Sequence, residues 1–300
     1  MPNDPLVDAH RFIPHDSGSY ARIAVEEEPM DAKWIITAFV LIDTLLSRLN
    51  HRSHTLAQVP DSEVLTVAVV AAKYFQNHHE RALCVLREAH YLCGRLDLTR
   101  FNRRLHKLAD WLAFIATTLG EIFLHGEVFV IDSIPVPVCR RARARRCRKV
   151  RGREYCGYCA AKKEKFFGWR LHLICTPDGI PVSFQLVPAG FHDLTPLHEL
   201  AYVLPPGARL FGDKAYNSAD DEASLLAETG VRLIPIRKAN MAPHEWFLDA
   251  LELREYRHTI ETVNSQLEKM GVERLHARTN VGLELKVHAS LIALACTNFN

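Results

Sequence analysis

The sequence predicts an α/β fold in which a small all-helical region precedes a mixed five-stranded sheet flanked by helices. Between about residues 31 and 122 the apolar side chains recur at helical spacing, whereas from residue 128 short apolar runs alternate with amphipathic segments. The chain has 300 residues, of which 48% are hydrophobic and 24% charged. This composition is ordinary for a globular protein with a full core and room for two domains.

The first part of the chain divides into an arm and a helical domain. Residues 1–30 show no clear periodicity and are predicted to form a flexible N-terminal arm. Apolar spacing then predicts four helices over residues 34–49, 62–76, 80–92 and 99–120, the last with Thr99 as its N-cap. The third and fourth helices, with the short linker 94–98, have the proportions of a helix-turn-helix. Residues 31–122 are therefore predicted to be a helical domain, for which a DNA-binding helix-turn-helix is one interpretation.

The fourth helix begins with basic side chains that lie clear of its apolar stripe, namely Arg100, Arg103 and Lys107. Recognition helices contact DNA through the residues near their N-terminus. An ordinary bundle helix with a solvated basic face explains the same pattern, and the sequence leaves both interpretations open.

Residues 128–300 show the pattern of a second, sheet-containing domain. The predicted strands cover residues 128–132, 167–176, 181–187, 209–213 and 231–236, and the predicted helices cover residues 196–203, 219–229, 251–270 and 283–297. Three antiparallel strands are followed by alternating helix and strand. A long basic insertion, residues 133–166, separates the first two strands, and a connection of that length indicates function or disorder.

Three carboxylates stand at unusual places in this second part. Asp132 and Asp213 each end a short apolar run, and Glu261 lies beside the apolar stripe of an amphipathic helix. Open α/β sheets place their sites at the carboxyl ends of strands, and clustered carboxylates repel one another unless a cation neutralises them. Oxygen ligands suit Mg²⁺ or Mn²⁺, and two such ions clamp the attacking and leaving oxygens of a phosphodiester. Turn formation by the aspartates and an Arg257–Glu261 helix pair are the structural alternatives.

The words around these residues resemble the catalytic blocks of bacterial insertion-sequence transposases of the DDE type. They are VIDS at 130–133, FGDKAY at 211–216 and RHTIET at 257–262, with the further words FGWRLHL at 167–173 and PAGFHD at 188–193 between them. The resemblance runs from about Phe129 to the C-terminus. One position departs from the pattern, because Glu268 stands where related enzymes often carry a lysine and the lysine is Lys269. That departure leaves Glu261 unaffected but removes the basis for a DNA-contacting role of Lys269.

The resemblance implies an RNase H-like fold and a metal-dependent DNA transposase. Its catalytic and metal-binding residues would be Asp132, Asp213 and Glu261, holding two Mg²⁺ or Mn²⁺ ions. The enzyme would cut double-stranded DNA at terminal inverted repeats and join the freed 3′-hydroxyl ends to target DNA, as a homodimer or higher assembly on the DNA. The alternatives are an RNase H-like nuclease without strand transfer and an inactive, domesticated DNA-binding protein.

Positive charge is concentrated although the net charge is only +2. The insertion is rich in arginine, and a local field of that sign suits a polyanion. The expected DNA contacts are Arg143, Arg145 and Arg146 in the insertion, together with Arg170, Lys214 and Arg257. We expect the insertion to be mobile in the free protein and ordered by DNA, with Tyr155 and Tyr158 able to stack on an unpaired base. A solvated charge run is the alternative.

Four cysteines in the insertion leave two interpretations open. Cys139, Cys147, Cys156 and Cys159 are close enough in sequence for a structural zinc site, but zinc ribbons usually carry two CxxC pairs and only one is present. Free thiols in a basic loop are the alternative. The roles of His192 and Asp193 also stay open, since a helix-start role explains Asp193 as well as a catalytic one. No signal peptide or membrane span is visible, which predicts a cytoplasmic protein.

Overall fold

A computed structural model describes residues 30–237 and 247–299. The N-terminal part of this range is helical, with α1 (Ala32–Arg48), α2 (Asp61–Phe75), α3 (His79–Glu88), α4 (Leu98–Lys107) and α5 (Ala109–Ile122). The central helix is α2, because its side chains from Ser62 to Ala72 are all buried. The predicted N-terminal arm lies, except for residue 30, outside the described residues.

A six-stranded mixed sheet follows the helices. Its strands are β1 (Val128–Arg140), β2 (Cys156–Cys159), β3 (Glu164–Cys175), β4 (Pro181–Pro188), β5 (Arg209–Gly212) and β6 (Arg232–Pro235). β3 pairs antiparallel with β1, β2 and β4, whereas β5 runs parallel to β1 and β6 runs parallel to β5. This order is that of an RNase H-like sheet, and the predicted fold class is confirmed. The sixth strand, β2, comes from the insertion.

The remaining helices flank the sheet. They are α6 (Leu197–Ala201), α7 (Ala219–Thr229), α8 (Phe247–Lys269) and α9 (Asn280–Asn298). Phe129 and Ile131 of β1 are fully buried, and Val130 between them is only 2% exposed. A strand that is buried on both faces needs a layer on each side, which explains its continuous apolar run. Within residues 30–237 and 247–299 no helix is long and apolar enough to span a membrane.

Several predicted features differ from the structure. The N-cap of α4 is not Thr99 but Asp97, whose side chain accepts a hydrogen bond from the backbone N–H of Arg100. The predicted helix 99–120 is two helices that meet at Leu108, whose backbone N–H is shared between the carbonyls of Arg104 and Leu105. Bifurcated bonding of this kind is common at helix ends, and apolar periodicity does not detect it. The first strand does not end at Asp132 but continues to Arg140, because β3 supplies antiparallel partners as far as Phe166.

The helical part and the sheet share one apolar core. α9 packs against α2 and α5, and its buried side chains join the same cluster as Ile134 of β1 and Leu171 of β3. A second, smaller cluster lies on the other face of the sheet, around Phe129, Leu210 and Leu225. The segments 31–122 and 128–300 are therefore in contact through a continuous hydrophobic core.

Candidate active site

Asp132 and Asp213 lie side by side where the parallel part of the sheet ends. The last parallel pair joins Ile131 of β1 to Gly212 of β5, and the two aspartates are the next residue on each strand. Asp213 precedes a 3-10 turn whose third residue, Tyr216, is fully buried. A Cβ at Gly212 would lie 3.0 Å from Ile131 and 3.2 Å from Tyr216, so glycine lets this turn pack tightly behind Asp213.

The carboxylate of Asp132 is held in an environment that disfavours its negative charge. The pKa of Asp132 is raised to about 6, mainly by burial and to a smaller extent by the negative charges of Asp213 and Asp193. Two hydrogen bonds oppose the shift, one from Asn264 Nδ2 at 2.5 Å and one from the backbone of Ser133. Asp132 is thus a half-buried carboxylate beside two other carboxylates, an arrangement that a cation would stabilise.

Asp193, whose role the sequence left open, belongs to this site. Its Oδ1 accepts a hydrogen bond from Ser133 Oγ at 3.1 Å and lies 3.6 Å from Nη1 of Arg170. The same Arg170 nitrogen donates to Ser133 Oγ at 3.2 Å. Asp193 therefore holds Ser133, the residue that follows Asp132. It does not start a helix, because the next helix, α6, begins at Leu197 with Pro196 as its N-cap.

His172 links Asp193 to the turn after Asp213. Its ring is fully buried, with Nδ1 3.1 Å from the hydroxyl of Tyr216 and Nε2 3.8 Å from Asp193 Oδ1. Burial is the main cause that lowers the pKa of His172, to about 4, so the ring is neutral at physiological pH. The sequence indicated this residue only as part of the FGWRLHL word and assigned it no role.

Glu261 does not meet the two aspartates in this conformation. Its side chain is 63% exposed, and Oε1 lies 2.9 Å from Nε of Arg257. The helix that carries Glu261, α8, nevertheless packs beside the site. Tyr256 contacts Phe211, with ring centroids 4.8 Å apart, and Asn264 contacts Asp132. Glu261 lies between these two contacts along α8. Among the described residues, no three His, Cys, Asp or Glu side chains are grouped to bind a metal ion.

Comparison with known proteins identifies the family. Residues 124–280 match the family model described as transposase DDE domain. The chain belongs to this family. The match covers the sheet from β1 onward and most of the C-terminal part, including Asp132, Asp193, Asp213 and Glu261. No curated protein and no solved structure matches the chain.

Membership of the transposase DDE domain family defines the class of chemistry. The protein is of a nuclease or transposase type whose substrate is DNA, and enzymes of the family generally use divalent metal ions. The resemblance noted in the catalytic words is confirmed at this level.

The basic insertion of this DDE transposase domain is folded against the sheet rather than forming a plain loop. Arg141–Arg146 and Arg153–Tyr155 form 3-10 helices, and β2 pairs with the start of β3. Lys162 at the tip of the hairpin bonds to Glu268 and Glu273 beyond the sheet. The insertion, residues 133–166, is therefore not a loop throughout, because pairing with β3 satisfies part of its backbone. Its ordering by DNA stays a prediction.

The predicted DNA-contacting residues fall into two groups. Most are exposed, although Arg257 is paired with Glu261 in this conformation. The exposed residues are Arg143, Arg145, Arg146, Lys214 and Arg257, together with Arg100, Arg103 and Lys107 on α4. Arg170 differs, since it is 18% exposed and bonds to Ser133 and to the backbone oxygen of Tyr158. Its guanidinium thus supports the site from within.

The two tyrosines proposed for base stacking also differ. Tyr155 is half-buried and makes edge contacts with Phe167 at 6.0 Å and Trp169 at 5.0 Å. Its stacking on an unpaired base stays a prediction. Tyr158 is 50% exposed and stays a candidate.

The four cysteines of the insertion do not form a tetrahedral site. Cys139 and Cys156 both pair with Phe167 from opposite sides, which places them two strand spacings, about 10 Å, apart. Cys156 and Cys159 are three residues apart in one strand, so their side chains point to opposite faces of the sheet. Only Cys139 and Cys147 lie in hydrogen-bonding contact within this group. The arrangement does not support the zinc interpretation.

Proposed function

We propose that the protein is an insertion-sequence transposase that cuts DNA at terminal inverted repeats and joins the freed 3′-hydroxyl ends to target DNA. The observation that carries the proposal is the adjacency of Asp132 and Asp213 at the end of the parallel pairing, in a member of the transposase DDE domain family. Phosphoryl transfer needs such a place for positive charge beside the reacting oxygens.

The residues present fit a pair of Mg²⁺ or Mn²⁺ ions. The donors at the site are carboxylate oxygens, which these hard cations prefer, and the raised pKa of Asp132 marks a carboxylate that lacks a counter-charge. When bound, two ions supply stabilisation of the attacking and leaving oxygens of the phosphodiester. We propose Asp132, Asp213 and Glu261 as the residues that hold them. Glu261 would turn from Arg257 toward the aspartates.

The other side chains orient the carboxylates. Asn264 and the backbone of Ser133 direct Asp132 through hydrogen bonds, and Asp193 fixes Ser133. A carboxylate that is held in place loses less freedom when it binds a ligand, which favours fast phosphoryl transfer. Release of Arg257 from Glu261 would make its guanidinium available to a DNA phosphate close to the cut.

DNA would lie across the site and the α4 surface. We propose that Arg100, Arg103 and Lys107 contact the terminal repeats, and that Arg143, Arg145, Arg146 and Lys214 contact phosphates near the cut, all by charge-assisted hydrogen bonds. Two repeats must be held together for joining, which favours a dimer or higher assembly on DNA. We propose that Arg170, whose Nη1 lies 3.6 Å from Asp193 Oδ1, supports Asp193 rather than contacting DNA.

A cleavage assay tests the proposal. The full chain is incubated with duplex DNA that carries the inverted repeats flanking its own gene, with Mg²⁺, and the products are sized. Asp132→Asn, Asp213→Asn and Glu261→Gln should each abolish cleavage and leave DNA binding nearly intact, because residues of one metal site act as a unit. Asp178→Asn, in an exposed turn, is the matched control that should cut normally.

The products distinguish the alternatives. Cut ends that never join target DNA would identify a nuclease without strand transfer. Binding of the repeats without any metal-dependent cleavage would identify an inactive DNA-binding protein. Near-normal cleavage by Glu261→Gln would remove that residue from the catalytic set while leaving Asp132 and Asp213 in place.

A further inference from the structure

A cleft of about 740 Å³ lies between the start of α4 and the start of α9. It is lined by residues that are far apart in the chain, from segments 76–80, 98–106 and 276–286. Its charged and imidazole side chains include His106, His276, Arg278 and Lys286. Among the described residues that line it, Glu80 is the one acidic side chain, and it is exposed. The cleft therefore has a positive field.

Lys286 is a half-buried cation with no carboxylate to balance it among the described residues. Its Nζ donates to the backbone oxygens of Asn77 and His276, both at 2.9 Å, and within residues 30–237 and 247–299 it makes no ion pair. Burial and the charge of Lys149 lower the pKa of Lys286 to about 8. A partly desolvated charge without a counter-charge is costly even when it is hydrogen-bonded, and an anionic ligand would offset that cost.

The first turn of α9 forms one wall of this cleft. Helix N-termini carry partial positive charge, and the first turn of α9 contains no acidic residue to balance it. A Cβ at Gly282 would lie 3.4 Å from the ring of His106, so this imidazole is seated directly against that turn. The helix end, the imidazole and Lys286 thus surround the same space.

The cleft connects two surfaces that are already basic. α4 is its wall on one side, and the opposite side of the same helix presents Arg100 and Arg103 to a second cleft. On the other side, Asn280 Nδ2 donates to the backbone oxygen of Lys149 at 2.9 Å, which ties α9 to the basic insertion. The insertion leads back along β1 to Asp132. Basic side chains therefore occur on three adjoining parts of the molecule, namely α4, this cleft and the insertion.

We propose that this cleft binds the phosphodiester backbone of duplex DNA, between the segment contacted by α4 and the phosphate cut at the aspartates. The inference deepens the proposed function and rests on it for the location of the cut, but the cleft itself requires only DNA binding. Lys286 and Arg278 are its phosphate-contacting residues. DNA is the occupant because an extended polyanion matches three adjoining basic surfaces, whereas a small anion would need only one.

Salt-dependent binding tests this assignment without relying on cleavage. Arg278→Gln and Lys286→Gln are made in the full chain, and binding of a duplex of arbitrary sequence is titrated against salt. Each variant should bind more weakly, and the log–log slope should fall by about one unit for each phosphate that the protein no longer neutralises. Arg48→Gln, which removes an exposed cation at the end of α1, is the matched control and should leave affinity and slope unchanged.

The binding results of the two variants also decide whether the cleft proposal fails. Unchanged affinity and slope in both variants would overturn the proposal, whether or not the protein cuts repeat DNA. A reduced slope in a protein that does not cut would reject the transposase proposal and leave the cleft standing. If Lys286→Gln fails to fold, Arg278→Gln decides the question alone, because Arg278 is exposed.

Inorganic phosphate serves as the second probe. One result would show that the ligand is a free anion and that the DNA assignment is wrong. In that case phosphate raises the melting temperature of the wild-type protein, Arg278→Gln removes this shift, and the variant still binds duplex DNA normally. Ethylation of individual DNA phosphates gives the positive outcome. In the stretch of DNA that lies over the cleft, ethylation of a phosphate should weaken binding of the wild-type protein but not of Arg278→Gln. Outside that stretch, ethylation should affect both proteins alike.

Discussion

The buried carboxyl group of Asp132 should make the stability of the folded protein depend on pH. Its pKa is raised to about 6 in the folded protein, so folded Asp132 retains its proton over a range in which the unfolded chain has already released it. The metal-free protein therefore loses stability as the pH rises from about 4 to about 6, and the loss persists above that window. In a chelator, Asp132→Asn should be more stable than wild type by on the order of 1 kcal/mol at about pH 8 and equal near pH 4.

Urea unfolding at the two pH values measures this effect. Adding Mg²⁺ at the higher pH should then raise the melting temperature of the wild type but not of Asp132→Asn, since a ligand stabilises only the form that binds it. An Asp132→Asn protein that is less stable than wild type at high pH would show that the Asn264 hydrogen bond, rather than the buried charge, dominates this position.

Asp193 gives a second prediction for a single residue. Asp193→Ala leaves Arg170 without its carboxylate and Ser133 without an acceptor. We expect a loss of roughly 1–3 kcal/mol in the free energy of unfolding, and a fall in cleavage that exceeds any fall in DNA affinity. Chemical denaturation and the cleavage assay measure the two effects. A variant with normal cleavage would restrict Asp193 to a purely structural role.

Two adjacent arginines of the helix α4 are expected to have different roles, one in DNA binding and the other in stability. Arg103 is exposed, whereas Arg104 donates to the backbone oxygen of Val59 and pairs with Asp61. Arg103→Ala should weaken DNA binding and lower its salt slope by about one unit without changing stability. Arg104→Ala should instead destabilise the fold by about 1 kcal/mol, because it leaves the Val59 carbonyl without its donor.

Melting curves and salt titrations of the two variants check this difference. Equal effects of both changes on DNA binding would show that α4 approaches DNA with a different face. No effect of Arg103→Ala would return α4 to an ordinary bundle helix with a solvated basic surface, the alternative that the sequence left open.

The elements also show where prediction from sequence succeeds. The predicted strand 181–187 and helix 219–229 closely match β4 and α7, because apolar alternation and the Ser218 cap with Gly230 after the last turn are local signals. Strand β1 was too short in the prediction. Its extension beyond Asp132 depends on partners in β3 that are distant in sequence, and the polar and proline residues after Asp132 do not indicate them.

For the molecule as a whole, the shared core predicts that the catalytic part is not stable alone. Eleven side chains of α9 are buried, including Leu291, Ile292 and Leu294, and many lie against α2 and α5. A fragment of residues 124–300 would expose that face to water and should aggregate or bind a hydrophobic dye. Co-expression of residues 31–122 should restore a cooperative unfolding transition, measured by circular dichroism. A fragment that unfolds cooperatively by itself would confirm the predicted boundary between two domains.

Sequence alone was enough to predict the fold class, the family, and Asp132, Asp213 and Glu261 as the candidate catalytic residues. The fold class rests on periodicity, which local physics imposes on neighbouring residues, whereas the family and the catalytic roles rest on the resemblance of short words to a known family. The folded chain was needed to see that Asp193, His172 and Arg170 support the aspartates, that Glu261 pairs with Arg257, and that the insertion is partly sheet. Most of these features depend on pairing between segments far apart in the chain, and a polar side chain has the same local pattern whether its partner is water, DNA or a distant strand.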